Sequence, residues 1–209
     1  MSSIAGSVEE LLALAIRHLN AGQHSRARLL CEQAVATHPP HPAIEQLLAH
    51  ISLAHGDAAA GLAHATASLA LRPEHAPTLI VAAAAARALG ALGQAADHCA
   101  HALRLQPERA DLWFQLSLLR HDLHDLQGAA QALRELLRLE PQRAEAEVNL
   151  GIVLQEDGQL DAAMRAYGRA YRLREDTFGR IAHALATPNV GRVWLDLDAL
   201  RASLRSAPA

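Results

Sequence analysis

The chain has 209 residues, 51% hydrophobic content, only 3% aromatics and a formal net charge of −3. Its apolar share is mostly Ala and Leu, which favours helices and leaves little β-branched or aromatic material for sheets. The sequence has no lysine, so every formal positive charge outside the histidines is an arginine, which argues against a lysine-rich nucleic-acid or membrane surface.

Residues 1–7 read as a short leader, with Ser7 placed to cap a first helix. Met1 to Asn20 carries no basic region ahead of its apolar stretch, and Glu9 and Glu10 interrupt it. It therefore reads as the first helix rather than as a secretory signal. No stretch approaches the roughly 18 uninterrupted apolar residues of a membrane span, so a soluble, cytoplasmic protein with no membrane span is expected.

Pro39, Pro73, Pro107 and Pro141 stand 34 residues apart, and this step organises the chain. Each proline closes one helical pair and opens the next, because proline is tolerated only outside a helix interior or in its first turn. Five units follow: 8–41, 42–75, 76–109, 110–143 and 144–177. The fifteenth position of each holds Gly22, Gly56, Gly90, His124 and Gly158, where glycine suits a left-handed helix end. Five residues further on stand Ala27, Gly61, Ala95, Ala129 and Ala163, then Cys31, Ala65, Cys99, Leu133 and Tyr167, and then Ala34, Ser68, Ala102, Leu136 and Ala170. Small residues let two helices approach closely, and larger ones fill the space beside them.

Unit one has Leu11, Leu14 and Ala15 at inner positions, and its second helix runs to His38 before Pro39 and Pro40 break it. Unit two is the loosest, with Ser52, Gly61, Ala65 and Ser68 in columns where larger apolar residues are usual. Unit three continues the theme from Ala82 to Ala86. Small side chains bury little area, so units two and three are either the least stable part or built from closely approached helices. Units four and five are better filled, by Trp113, Leu116, Leu133, Leu136, Leu150 and Tyr167. After Arg174 the pattern changes. Asp176 or Thr177 is placed to cap a covering helix over 178–187 that carries Phe178, Ile181 and Leu185. Residues 188–209 follow as a turn plus a short C-terminal helix and tail: Pro188 and Asn189 to Gly191 read as the turn, Arg192 to Leu195 as an apolar tail. Leu197, Leu200 and Leu204 then form one helical stripe behind Asp196 or Asp198. A helix of about ten residues is marginal in water, so this one must dock on its own stack or on a partner.

These columns resemble the tetratricopeptide repeat, whose consensus runs W-x2-L-G-x2-Y…A-x3-F…P. Trp113 and Leu116 carry its first half; Leu150, Gly151, Ala163 and Tyr167 carry much of it one unit later. The resemblance spans about residues 8–177. It implies an all-α fold, a right-handed superhelical solenoid of antiparallel helix hairpins with no β-sheet, since a hairpin of this size buries its apolar face only by stacking.

In this family the first helix of each unit lines a concave face, through unit positions 2, 5, 6, 9, 12 and 13. Carried onto this sequence, the apolar members are Leu12, Ile16, Leu19, Leu47, Leu53, Ile80, Val81, Phe114, Leu118, Val148 and Ile152. The polar ones include His50, Arg87, Gln115, His121, Asn149 and Gln155. The family's best known groove clamps a C-terminal carboxylate with Lys and Asn; this chain has no Lys, and only Asn20 and Asn149 among those positions are Asn. What remains is an apolar groove. The resemblance therefore implies a protein–protein interaction scaffold, an adaptor or chaperone-like protein of bacterial flavour. It would hold an apolar or amphipathic peptide segment of another protein. The alternative is a structural assembly subunit that self-associates through the same surface and the C-terminal helix, as a homo-oligomer.

Other chemistries find little support. Cys31 and Cys99 share a column two units apart, roughly 20 Å by helix packing distances, too far for a disulfide, and read as buried core thiols. The 13 histidines scatter over many unit positions without a partnering cluster at ligand spacing. His98 and His101, or His121 and His124, can share a helix face, and His64 and His98 share a second-helix column read as outward. No metal, no cofactor and no nucleic acid are expected. No G-x-S-x-G, Gly-rich phosphate loop, H-E-x-x-H or C-x-x-C is present, so no enzyme is expected. Asp122, Asp125, Glu156 and Asp157 read as solvated surface. Arg134, Arg138, Arg165, Arg169 and Arg172 read as a solvated stripe on units four and five, without the interleaved aromatics that stacking on bases requires.

Overall fold

A computed structural model of the chain describes residues 6–186 and 196–208. Most of the leader, the expected turn from Pro188 to Gly191 and the apolar tail from Arg192 to Leu195 lie outside the described residues. Among the described residues the chain is all α, with twelve helices, one 3₁₀ turn and no strand. It divides into two compact units, Met1–Gln106 and Pro107–Ala209.

The first unit holds three hairpins: α1 (Val8–Asn20) with α2 (His24–Thr37), α3 (Pro42–Ala54) with α4 (Ala58–Leu71), and α5 (Ala76–Ala88) with α6 (Leu92–Leu105). The second holds α7 (Ala110–Asp122) with α8 (Leu126–Leu139) and α9 (Ala144–Glu156) with α10 (Leu160–Leu173). A 3₁₀ turn (Glu175–Thr177), α11 (Phe178–Ala186) and α12 (Leu197–Ser206) follow.

One device turns the chain in every hairpin. Gly22, Gly56, Gly90 and Gly158 have φ between 71° and 81°, and His124 takes the same left-handed conformation at 58°. The amide after each donates to the carbonyl five residues back: Gln23 to His18, Asp57 to Ser52, Ala91 to Ala86, Asp125 to Arg120 and Gln159 to Leu154, all at 2.8–2.9 Å. This pattern satisfies carbonyls that a helix end otherwise leaves unpaired. The next helix starts at once. Asp57 and Asp125 cap α4 and α8 by accepting from the amides of Ala60 and Gly128, at 2.9 Å each. Ser7 caps α1 through a reciprocal pair with Glu10.

In the first unit the helices come close because their contact residues are small. Ala49, Ala65 and Ala82 form one fully buried cluster, and a Cβ on Gly61 would lie 3.3 Å from the Ala49 carbonyl oxygen. Of the two outcomes left open for units two and three, close approach is the one observed. Buried hydroxyls keep partners: Ser68 donates to the Pro42 carbonyl at 2.8 Å, and Thr78 bonds the His75 ring at 2.8 Å. Cys31 and Cys99 are buried thiols not joined in a disulfide, and burial pushes the Cys31 thiol up to about 12, so it stays protonated at neutral pH. His64 and His98 are less outward than their column suggested. His64 bonds Glu45 at 2.7 Å, and His98 is half-buried with an unpartnered Nε2.

In the second unit larger side chains fill the same columns. The ring of Tyr167 is fully buried against Gly151, where any Cβ would run into it. Its hydroxyl donates to Gln155 Oε1 at 3.0 Å, and Gln155 Nε2 donates to the Ala184 carbonyl at 2.9 Å. One hydrogen-bond chain thus ties α10, α9 and α11. The Trp113 indole donates to the Pro107 carbonyl at 2.8 Å, and Glu147 receives both arms of Arg169 at 2.7 and 2.9 Å. Neither Asp176 nor Thr177 caps α11. The Asp176 carboxylate is held by Arg174 at 2.7 and 3.0 Å, and the Thr177 hydroxyl donates to the Arg174 carbonyl, so both are spent on the 3₁₀ turn.

Three consequences are measurable by denaturation. Gly151→Ala should cost about 1–3 kcal/mol, since Tyr167 has no room to withdraw, and α11 should loosen with it. Ala91 is the N-cap of α6 at φ −80°, ψ 63°, close to the φ −86°, ψ 78° of Asp57, yet has no side-chain acceptor; Ala91→Asp should add about 0.5–1 kcal/mol. Finally, burial lowers the pKa of both His75 and His98 below the ordinary value of 6.5. The unfolded chain then takes up protons first, so stability should hold above about pH 6.5 and fall as pH drops below it. A urea midpoint unchanged between pH 7.5 and pH 5 would refute this.

Candidate functional site

The first helices of the three hairpins in the first unit stand side by side, α3 beside both α1 and α5. A helix turns once per 3.6 residues, so side chains at steps of three and four share a face. Leu12, Ile16 and Leu19 of α1, Ala43, Gln46, Leu47 and His50 of α3, and Pro77, Ile80 and Val81 of α5 line one groove of about 380 Å³. Seven of the nine residues expected on this face in the first unit meet there. Leu53 and Arg87 do not: Leu53 turns into its own hairpin, 3.5 Å from where a Cβ on Gly61 would be, and Arg87 is exposed beyond the groove on the last turn of α5.

Ala43, Gln46 and Pro77 occupy the same register without being among the residues expected on this face. Their small size or polarity hid them, and the repeat position alone would have found them. Among the described residues lining the groove, Gln46 and His50 are the two side chains that can hydrogen-bond, and none is Asp, Glu or Arg. Ile16 keeps 43% of its surface exposed, an aliphatic side chain facing solvent at the groove wall.

The second unit treats the same register differently. Gln115 and Leu118 of α7 are exposed, Leu118 at 43%. Phe114 is half-buried, with the Arg143 guanidinium 4.5 Å above its ring, and His121 bonds Glu156 at 2.6 Å. On α9 the face is covered. Val148 is fully buried in the core that also holds Ile181 and Leu185 of α11, and Ile152 packs against that core. Asn149 Oδ1 accepts from Arg180 at 2.9 Å, and Gln155 is bonded to α11 as described. The expectation that Val148, Asn149, Ile152 and Gln155 face a partner gives way to α11, which takes up that face of α9.

The arginines of the second helices are engaged in part. Arg169 is forked onto Glu147 and Arg172 donates to carbonyls at the end of α12, whereas Arg134 and Arg138 stay exposed, so only part of the expected stripe is solvated surface. Among the described residues no group of three or more His, Cys, Asp or Glu is placed to hold a metal ion, and no helix is long and apolar enough to cross a membrane.

Comparison with known proteins agrees with this architecture. Two stretches, residues 8–51 and 110–143, match models of the tetratricopeptide repeat family. No curated protein matches the chain. Among solved structures, one of MamA is 15% identical, with a TM-score of 0.73 over 81% of this chain and 93% of that one. The AMB-1 MamA is 19% identical, with a TM-score of 0.71 over 80% and 92%. MamA from Desulfovibrio magneticus RS-1, from residue 41 to its end, is 15% identical with a TM-score of 0.70 over 83% and 98%. At these identities the likeness is one of fold. The phased columns, the two family matches and the stacked hairpins together make this chain a tetratricopeptide-repeat protein, a scaffold for protein–protein interaction.

Proposed function

We propose that the α1–α3–α5 groove is the partner-binding surface, and that it receives an apolar or amphipathic segment of another protein. The observation that carries this reading is the convergence of Leu12, Ile16, Leu19, Leu47, Ile80 and Val81 on one open groove. A helix needs one apolar stripe to pack inside its hairpin; these helices carry a second. An apolar surface left open to water in a folded chain marks an interaction site.

The lining sets the chemistry of the guest. Without a lysine, and without an arginine or carboxylate in the groove wall, recognition rests on apolar area, with Gln46 and His50 fixing orientation. Burying one Leu or Ile side chain fully contributes about 1.5–3 kcal/mol, so a few anchors suffice once the loss of translational and rotational freedom is offset. The role is adaptor-like, and binding rather than catalysis is the activity.

Affinity capture from a lysate of the native host tests the reading, comparing wild type with Ile16→Arg and Leu118→Arg. Both sites are 43% exposed, so neither substitution should disturb folding. A partner held by wild type and by Leu118→Arg should be lost with Ile16→Arg, a weakening of tenfold or more. Identical capture by all three chains would remove the groove from consideration.

A further inference from the structure

Helix α12 docks where no repeat helix does. Within each unit, successive second helices do not pack closely on one another, whereas α12 lies directly on α10. Its seat is built around Gly168. A Cβ at that position would stand 2.6 Å from the Ala207 Cβ and 2.9 Å from the Leu204 carbonyl oxygen. The same step of the repeat holds Glu32, Thr66, Ala100 and Arg134 in the other units, three of them exposed. The column faces outward and accepts side chains of any size; the last unit alone has cleared it.

Arg172, one turn beyond, completes the seat. Its Nη1 donates to the carbonyl oxygens of Ala207 at 2.9 Å and Leu204 at 3.2 Å, with that of Arg205 at 3.5 Å. These belong to the last turn of α12 and the residue beyond it, where carbonyls lack intrahelical partners and a cation is favoured. Leu200 and Leu204 are buried, the Arg201 guanidinium lies 4.2 Å over the Phe178 ring, and that of Arg205 lies 5.8 Å over Tyr171. The seat thus reads two leucines four residues apart, a small residue close to the backbone of α10, and a helix C-terminus.

We propose that this seat is a self-recognition site, able to hold the α12 of a second copy of the chain in place of its own. The described contacts that define it join residues 200–207 to α10, the 3₁₀ turn, Phe178 and the core shared with Ile181 and Leu185 of α11, and a second copy's helix can make the same set. A ten-residue helix does not persist undocked, so release leaves an apolar seat and its matching strand of leucines both unfilled. Exchange between copies restores the same contacts with no new surface. The covalent tether favours the chain's own helix through an effective concentration on the order of a millimolar. Under that tether an intrinsic Kd of about 0.1 mM keeps the helix docked about nine-tenths of the time. Crowded copies, or copies whose own contact is broken, therefore pair.

Two full-length variants divide the recognition between them. Leu204→Asp removes the helix's anchor and leaves the seat open. Gly168→Glu places the unit-one residue in the seat, where it also draws Arg172 away, and leaves the helix intact. Light scattering at roughly 300 µM of each variant, about three times a Kd of 0.1 mM, should find each variant monomeric alone and about half or more of the mixture as a 1:1 dimer. A Gly168→Glu, Leu204→Asp double variant should fail to pair with Gly168→Glu. A mixture that stays monomeric, with both variants helical by circular dichroism, would overturn the proposal. So would dimers of either variant alone, which place association elsewhere.

Discussion

The hairpin turn sets everything else in this molecule. One residue in the left-handed region, followed by an amide that reaches back five residues, reverses the chain at Gly22, Gly56, Gly90, His124 and Gly158. The bond leaves no slack, so first and second helices keep the same lengths and phase in every unit. Once the phase is fixed, Ala27, Gly61, Ala95, Ala129 and Ala163 meet the partner helix at the same height, and the separation of the helices follows from their size. His124 shows how strong the constraint is. A non-glycine residue in this conformation costs about 1–2 kcal/mol, and the turn keeps its geometry regardless.

A second consequence of fixed phase is that the first helices carry the same register stripe in each compact unit. In the first unit this stripe is aliphatic and uncovered, and it becomes a groove. In the second it is largely engaged on α9, where α11 takes Asn149 and Gln155, and partly on α7, where Arg143 lies over Phe114 and Glu156 holds His121 while Gln115 and Leu118 stay exposed. The same register thus serves binding in one place and closure in another. What separates the two is the presence of a neighbouring element that satisfies the face, since a buried polar or apolar group is stable only with a partner.

The 34-residue step and the turn residues are legible in the sequence because they are periodic, whereas the first-helix face follows from the resemblance to the tetratricopeptide repeat. Leu12, Ile16, Leu47 and Ile80 were found by position alone. Gln46, Ala43 and Pro77 share that register but carry no large apolar side chain, so only their repeat position marks them. The cover over α9 was not legible, for Val148 and Asn149 sit in the columns that Leu12 or Leu47 occupy one or more steps earlier. Nothing local to α9 says that Arg180 and Ala184 will meet it; that depends on where a non-repeating helix lands. The N-terminal caps show the same limit. Asp176 has the right residue type and place, yet Arg174, two residues away, claims its carboxylate first.

The ends of a repeat stack are where individuality enters. A column that points outward drifts freely, as Glu32, Thr66, Ala100 and Arg134 show. The last unit must match something that is not a repeat. In this chain that requirement has turned an indifferent column into a glycine and an outward arginine into a cap for a helix end. Gly168 would pass as one more tolerated substitution if α12 were unknown. Beside Leu204 and Ala207 it is the residue that permits contact at all, because a methyl group in that place leaves no room for the helix backbone. Departure from the repeat pattern at an exposed column is therefore a physical signal: it marks where the stack stops recognising itself and begins to recognise something else.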